Sequence, residues 1–397
     1  MRRAPKAVPN RKERHMQVRT RIAARISLLA IAVAAAAVVS GSASAGPDVV
    51  GHLYVNDNTA GTNTIAAFDR HADGTLTPLH GSPFVAGGAG TGTGIGSQGA
   101  LQVSTDGKYL LAVDAGSDQI SVLRIDSDGE LRPVGGGPVS SAGSEPVSIA
   151  IHGNLVYVAN NGDGGNYAGF TLNPGGHLRP LAGSTVPLPA GSSPGDVLFN
   201  GDGSRLVGTR VGTSLIDSFT VGPDGRLTAA PGSPFPAQGP GPFGSEFRPT
   251  NGTQLFVSNA HGGAGNGTVS AFSDGSDGEL TSIGSSPFPD FQTAPCWVEI
   301  SHDGQFLFTV NTASNTVSRY TIAADGSLSL LGSTSLGSSS VGAEDARLGP
   351  NGQTLWVVDT GARAISAFAV DAGNLTQLPS SPTPLPPGSA PFGIVVT

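Results

Sequence analysis

The feature that most constrains this chain is a tight turn that returns roughly every 50 residues, the signature of a repeat architecture. It occupies residues 72–74, 127–129, 174–176, 223–225, 276–278, 324–326 and 371–374, each time followed by a leucine within two residues. A second turn of the same kind occupies 105–107, 152–154, 201–203, 250–252, 302–304 and 350–352. Most read Asp-Gly or Asn-Gly, and glycine there accepts the positive φ that a two-residue hairpin needs. Between them lie short alternating apolar runs. Residues 294–333 divide into CWVEI, FLFTV, TVSRYTI and SLSLL, separated by HDG, NTASN and ADG. Each run is of strand length, so the unit is a four-stranded antiparallel meander.

The two sets of turns differ in number, seven against six, and the deficit lies in the repeat that opens with GHLYVND, which lacks its first strand. The chain ends in APFGIVVT, which aligns with the first strands APCWVEIS and GPFGSEFR. Its β-branched run needs a neighbour to take its backbone donors and acceptors. The C-terminal strand is therefore expected to complete the first repeat and close a ring. Seven four-stranded units with closure describe an all-β, seven-bladed β-propeller, one domain over residues 46–397, in which radial repetition protects the strand edges.

Residues 1–45 read differently. Nine basic residues precede or flank the apolar run ISLLAIAVAAAAVVS (26–40), and Ala43-Ser44-Ala45 follows as a small-residue cleavage site. This pattern predicts a cleaved secretory signal, and the run is shorter than the roughly 20 residues of a membrane span. A start at Met16 would give a leader of more ordinary length. The first 45 residues hold nine of the 21 basic residues and one of the 29 acidic ones, which leaves 12 and 28, a net charge of −16. That balance excludes nucleic acid and anionic lipid as partners. The expectation is a secreted or cell-envelope protein, with no membrane span after cleavage, acting as a monomer. Its one cysteine, Cys296, permits no internal disulfide, so the cores of the blades must hold it together.

In a propeller the first strand of each blade lines a central channel, and the loops of one face form the usual ligand funnel. The Gly turns fall on the opposite face. The funnel loops supply Asp114 and Asp118, Asn160, Arg210, Asn259 and His261, and Asn311. The Asn residues read as staples between blades, since Asn bonds local backbone readily. The channel end of the first strands carries Asp196, Glu246, Glu299 and the cluster Glu344, Asp345, Arg347. A carboxylate beside an arginine is either a salt bridge or a polar-ligand site. The Gly-rich run VAGGAGTGTGIGSQG (85–99) reads as a tolerated surface insertion rather than a lid. Its loose GxGxxG lies in an all-β context with no helix to follow, so nucleotide binding finds no support. No GxSxG or HExxH occurs, the eight histidines lack ligand spacing, and no metal or cofactor is implied. Cys296, next to Trp297, reads as a buried small hydrophobe.

The blade pattern PxxxxxSxDGxxLxVxNxxSxxVSxYxIxxDGxLxxL, together with TDGKYLLAVDAGSDQISVLRID at 105–126, resembles the lactonase-family seven-bladed propellers, which include propeller-type 6-phosphogluconolactonase and carboxymuconate lactonizing enzymes. The resemblance covers residues 49–397. It implies, for members acting on lactones, a Pro-His pair where this chain has Gly99-Ala100, a Pro-Arg-His where it has Pro242-Phe243-Gly244, and an Asn-Glu where it has Asn259-Ala260. Asp114, Gly116 and Asp118 match the family's loop. The acid-base His and Glu are absent at the matched positions, and His261 and Arg210 are the groups left near the funnel. Two functions are consistent with this: an exported propeller that binds a small molecule, sugar or envelope component through a degenerate site, or a divergent lactone hydrolase. In the second, Arg210 and Arg347 would hold a carboxylate and His261 would act as base. The ligand positions common to both are Arg210, His261, Glu344, Asp345, Arg347, Asp114 and Asp118.

Overall fold

The computed structural model describes residues 48–337 and 342–397; the leader reading, residues 1–45, lies outside them. Seven antiparallel sheets succeed one another along the chain, each with its strands in sequence order. Their first strands begin at Leu101, Pro146, Pro194, Pro242, Pro295 and Ala343, for blades 2 to 7. Blade 1 takes its first strand from the other end of the chain, as its missing strand required. Ile394–Val396 pairs antiparallel with Val49–Asn56, setting Leu53 opposite Val396, Tyr54 opposite Val395 and Val55 opposite Ile394. The ring is an all-β seven-bladed propeller.

The middle strands of each blade are buried on both faces, as Tyr109–Asp114 shows throughout its length. Sheet packs on sheet around the ring, so each blade's apolar face is covered by the next. Trp297, Trp356, Tyr54, Tyr157 and Tyr167 are among the large side chains that are fully enclosed.

The outermost strand departs from a plain four-stranded meander. In six blades it is broken into a three- or four-residue piece and a two-residue piece, both paired with the third strand. In five of them a serine sits in the break and its Oγ accepts the backbone N–H that the interrupted ladder would leave bare. Ser82 serves Ala67 at 2.8 Å, Ser184 serves Gly169 at 3.0 Å, Ser233 serves Ser218 at 3.0 Å, Ser286 serves Ala271 at 2.7 Å and Ser381 serves Ala367 at 2.9 Å. A proline follows four of these serines, at positions 83, 234, 287 and 382. Proline cannot donate to a ladder, so Ser-Pro blunts the exposed edge while the serine keeps the inner strand satisfied. Blade 6 lacks the serine and runs an unbroken outer strand, Leu328–Ser335.

Candidate functional site

The loops between second and third strands, and the crossovers between blades, lie together on one face of the ring. At that face the first strands bring three aromatic rings to the channel mouth: Phe243 and Trp297 with centroids 5.7 Å apart, and Trp297 and Phe392 at 6.4 Å. Residues 85–99, expected as a surface insertion, run into this mouth and fill it. The first half of the segment is tied to the loops of blades 1 and 2. Asn58 gives its Nδ2 to the Thr93 carbonyl at 2.7 Å, the Gly88 carbonyl accepts the Asn63 amide at 2.8 Å, and Gly116 donates to Ala89 at 2.9 Å. The second half crosses the rings. A side-chain carbon at Gly94 or Gly96 would lie 3.4 Å from the Phe392 or Phe243 ring.

The tip of the segment is bonded to three further blades. Ser97 and Gln98 are buried. The Trp297 indole donates to the Ser97 carbonyl at 2.7 Å. The Gln98 backbone amide donates to the Gly195 carbonyl at 3.0 Å, its Nε2 donates to the Ser245 carbonyl at 2.8 Å, and its Oε1 accepts the Val298 amide at 3.0 Å. A side chain at Gly244 would overlap the Gln98 carboxamide. Gly244 is the position at which the resemblance leads one to look for a catalytic histidine. Here that space belongs to Gln98. The insertion departs from its surface reading because its glycines let backbone approach side chains and rings closely, an effect of tertiary packing that composition does not reveal.

Beneath the plug lies a band of carboxylates. Asp196 accepts the Ser245 hydroxyl at 2.6 Å and amide at 3.0 Å, and the Ser148 hydroxyl at 3.2 Å. Its burial nonetheless pushes it up to about 7. Arg347 donates to Glu299 Oε2 at 2.9 Å, and Glu299 Oε1 accepts the Leu348 amide at 2.7 Å. Burial raises Glu299, against the pull of Arg347. Glu246 is raised by burial and by the neighbouring Glu299. Asp345, next to Arg347, is held at about 6, burial outweighing the arginine's attraction. Burial opposes the charge on Arg347 too, but the surrounding Glu299, Asp345 and Glu246 outweigh it and hold the guanidinium charged. Glu344 points elsewhere, toward Thr360 and Asp359, and burial raises it strongly. The cluster is thus an enclosed, partly neutralised network around one arginine. Among the described residues no group of three or more His, Cys, Asp or Glu side chains is placed to hold a metal ion.

The remaining sequence-derived positions fall into separate places. Arg210 closes the second strand of blade 4, where other blades carry Asn or Asp. Asn259 donates to Thr268 and Ser270 at 3.0 and 2.8 Å, and Asn311 donates to Thr316 and Ser318 at 3.0 and 2.8 Å. These are staples within a blade rather than between blades, whereas Asn56 reaches across to the Val113 carbonyl at 2.9 Å. In blade 4 the register places Asp217 where Ser270 stands in blade 5. Arg210 grips it through Nε at 2.6 Å and through a second, shorter contact from Nη2. The Tyr167 hydroxyl donates to the same carboxylate at 3.0 Å. Arg210 is therefore a charged version of the repeat's own staple.

Asp114 is likewise a staple, accepting Asn63 at 2.8 Å and Ser121 at 2.5 Å, and raised by burial. Asp118 accepts the Glu145 amide at 2.7 Å and orders the next crossover. His261 stands exposed in the blade 5 loop, its amide bonded to the Pro240 carbonyl at 3.0 Å and its ring against Gly241. No hydrogen bond or ion pair among the described residues joins it to Arg210. Cys296 is buried, and burial pushes its thiol up to about 12.

Comparison with known proteins agrees with this architecture. Among solved structures, a candidate 6-phosphogluconolactonase from Bacteroides uniformis superposes with a TM-score of 0.71 at 20% identity, covering 87% of this chain and 98% of the other. One from Bacteroides fragilis gives 0.69 at 21% identity, covering 88% and 98%. The periplasmic gluconolactonase of Pseudomonas aeruginosa gives 0.69 at 19% identity, covering 87% and 98%. At these identities the likeness is one of fold. No curated protein matches this chain closely enough to count as a relative. The family described as "Lactonase, 7-bladed beta-propeller" matches residues 51–199 and 246–395, leaving unmatched most of blade 4, where Arg210 and Asp217 replace the usual staple. With that match spanning well over half its length, the chain belongs to the lactonase family of seven-bladed β-propellers.

Proposed function

We propose that this protein is an exported lactonase-family propeller that binds a small molecule, sugar or cell-envelope component and does not turn over lactones at its channel mouth. One observation carries the reading: Gln98 fills the space beside Gly244 and bonds Ser245 and Val298, so the centre of the funnel is occupied by the chain itself. Lactone hydrolysis needs a titratable group within hydrogen-bond reach of the proton it moves. The raised carboxylates Asp196 and Asp345 are buried. Asp196 is already engaged by Ser148 and Ser245, and Arg210 by Asp217. Export is supported by the leader-like residues 1–45.

The names of the Bacteroides and Pseudomonas neighbours favour a second reading, a divergent lactone hydrolase acting on an extracytoplasmic sugar or aromatic lactone with the exposed His261 as base. A pH-stat assay of residues 46–397 against sugar and aromatic lactones separates the two. No acid release above background is expected. Release that disappears in His261→Ala would overturn the binding reading and establish the hydrolase.

A further inference from the structure

Away from the funnel, on the face of the Gly turns, the seam between blades 2 and 3 carries two open clefts. A cavity of about 930 Å³ lies between the outer parts of the two blades, and one of about 660 Å³ lies on its inner side, with Tyr109 in the wall of both. A smaller one of about 90 Å³ shares Val134, Gly135 and His177 with the first. The first two are of the size that takes small organic ligands. Gly135 lines the first cleft and Gly135-Gly136-Gly137 the smallest, and a side-chain carbon at any of the three would meet nothing within 4 Å.

The chemistry of the walls narrows the ligand. Arg124 and Arg132 share one carboxylate, Asp126: Arg124 reaches Oδ1 at 2.9 Å and Arg132 holds Oδ2 in a shorter contact. Both guanidiniums remain about two-thirds exposed, so donors are left over toward the groove. Across Tyr109, Lys108 pairs with Asp106 at 2.9 Å. The three cationic groups stand among Asp106, Asp126 and Asp128 of the walls, and Glu130 lies 3.9 Å from Arg132 just outside them, so the walls carry no surplus positive charge to favour an anion. Side-by-side guanidinium and carboxylate offer the alternating donors and acceptors that neighbouring hydroxyls require. Val134 and the exposed His177 supply surface for the C–H face of a ring. We propose that the blade 2–3 seam is a binding groove for a neutral saccharide. The assignment rests on the reading of the protein as a binder and names the ligand class and place.

Lys108 is the one lysine after residue 12, which provides a local reporter. The protein (46–397) is titrated with neutral glucose- and N-acetylglucosamine-based oligosaccharides by saturation-transfer NMR, and sedimented with insoluble cellulose, chitin and peptidoglycan. Lys108 acylation is followed by mass spectrometry in parallel. Gly135→Trp sets a large side chain in the wall of the groove at a position free of positive φ, and Gly201→Trp, in the cleft between blades 4 and 5, is the matched control. Binding is expected to fall about tenfold or more in the first and to stay unchanged in the second, with Lys108 protected by ligand in the wild type. Binding of soluble oligomers would point to a free sugar, and binding only of the polymers to an envelope glycan; both support the groove. Saccharide binding that Gly135→Trp leaves intact, or no saccharide binding at all, overturns the groove and leaves the binding reading standing. Lactone turnover overturns that reading instead. A strong preference for sulfated or phosphorylated sugars overturns the neutral-ligand assignment.

Discussion

The indole N–H of Trp297 donates to the carbonyl oxygen of Ser97, 200 residues earlier in the chain, at 2.7 Å. This bond joins the first strand of blade 6 to the segment leaving blade 1. It holds the plug across the channel mouth, together with the Gln98 carboxamide. Replacing Gln98 by Ala strands two buried backbone groups, the Ser245 carbonyl and the Val298 amide. A buried group left unsatisfied costs about 1–3 kcal/mol, so Gln98→Ala should destabilise by about 2 kcal/mol or more. Urea unfolding of the variant measures it, and a change below 0.5 kcal/mol, taken as about the scatter of a neutral surface substitution, would show that the plug is only loosely seated.

The buried staple of blade 4 can be rewritten into the form its neighbours use. Arg210→Ala leaves Asp217 buried with Tyr167 as its one remaining side-chain partner, and should cost about 3 kcal/mol. The double variant Arg210→Asn with Asp217→Ser reproduces the Asn259–Ser270 arrangement. It should recover most of that loss, giving a favourable coupling of about 1 kcal/mol or more in the double-mutant cycle. Independent, additive effects would mean that the pair does not act as a staple.

Stability should be greatest on the acid side of neutrality. Burial lifts Asp57 and Asp196 to about 7 and Asp290 and Asp345 to about 6, so the folded chain keeps protons that the unfolded chain releases above about pH 4. The stability these groups contribute is fully present below about pH 4 and is lost as pH rises through 6 and 7. The exposed turn carboxylates Asp73, Asp106 and Asp202 are held low by hydrogen bonds and act in the opposite sense, losing their contribution as pH falls below about 4. Thermal midpoints measured from pH 4 to 9 should therefore be highest at the acid end, near pH 4, and decline toward pH 8. Asp196→Asn, which keeps an acceptor for Ser245, should flatten the decline. A midpoint rising steadily from pH 5 to 8 would contradict the assignment.

The serine in the broken outer strand carries one hydrogen bond that can be removed cleanly. Ser82→Ala leaves the Ala67 amide without its 2.8 Å acceptor and should cost about 1 kcal/mol. Amide hydrogen exchange at Ala67 should accelerate in the variant while the middle strands of other blades stay protected. Unchanged exchange would mean that another acceptor takes over.

Blade number, strand order and ring closure were legible because each rests on local pattern. An Asp-Gly turn between alternating runs is a property of a few adjacent residues, and the shortage of one first strand at the start is matched by Ile394–Val396 at the end. The repeat even held the clue to Arg210, since Asn or Asp fills its place in the other blades. Its partner Asp217, seven residues on, became a partner only through strand register. What the tertiary structure alone decided concerns contacts between distant segments. Residues 85–99 have no periodicity, and their glycines read equally as a loose loop or as a chain packed against rings. Only the converging first strands, which bring Gly195, Ser245, Trp297 and Val298 around Gln98, make that segment a plug. The state of the channel carboxylates obeys the same rule, because desolvation depends on what covers a group in space, and sequence neighbours do not supply that cover.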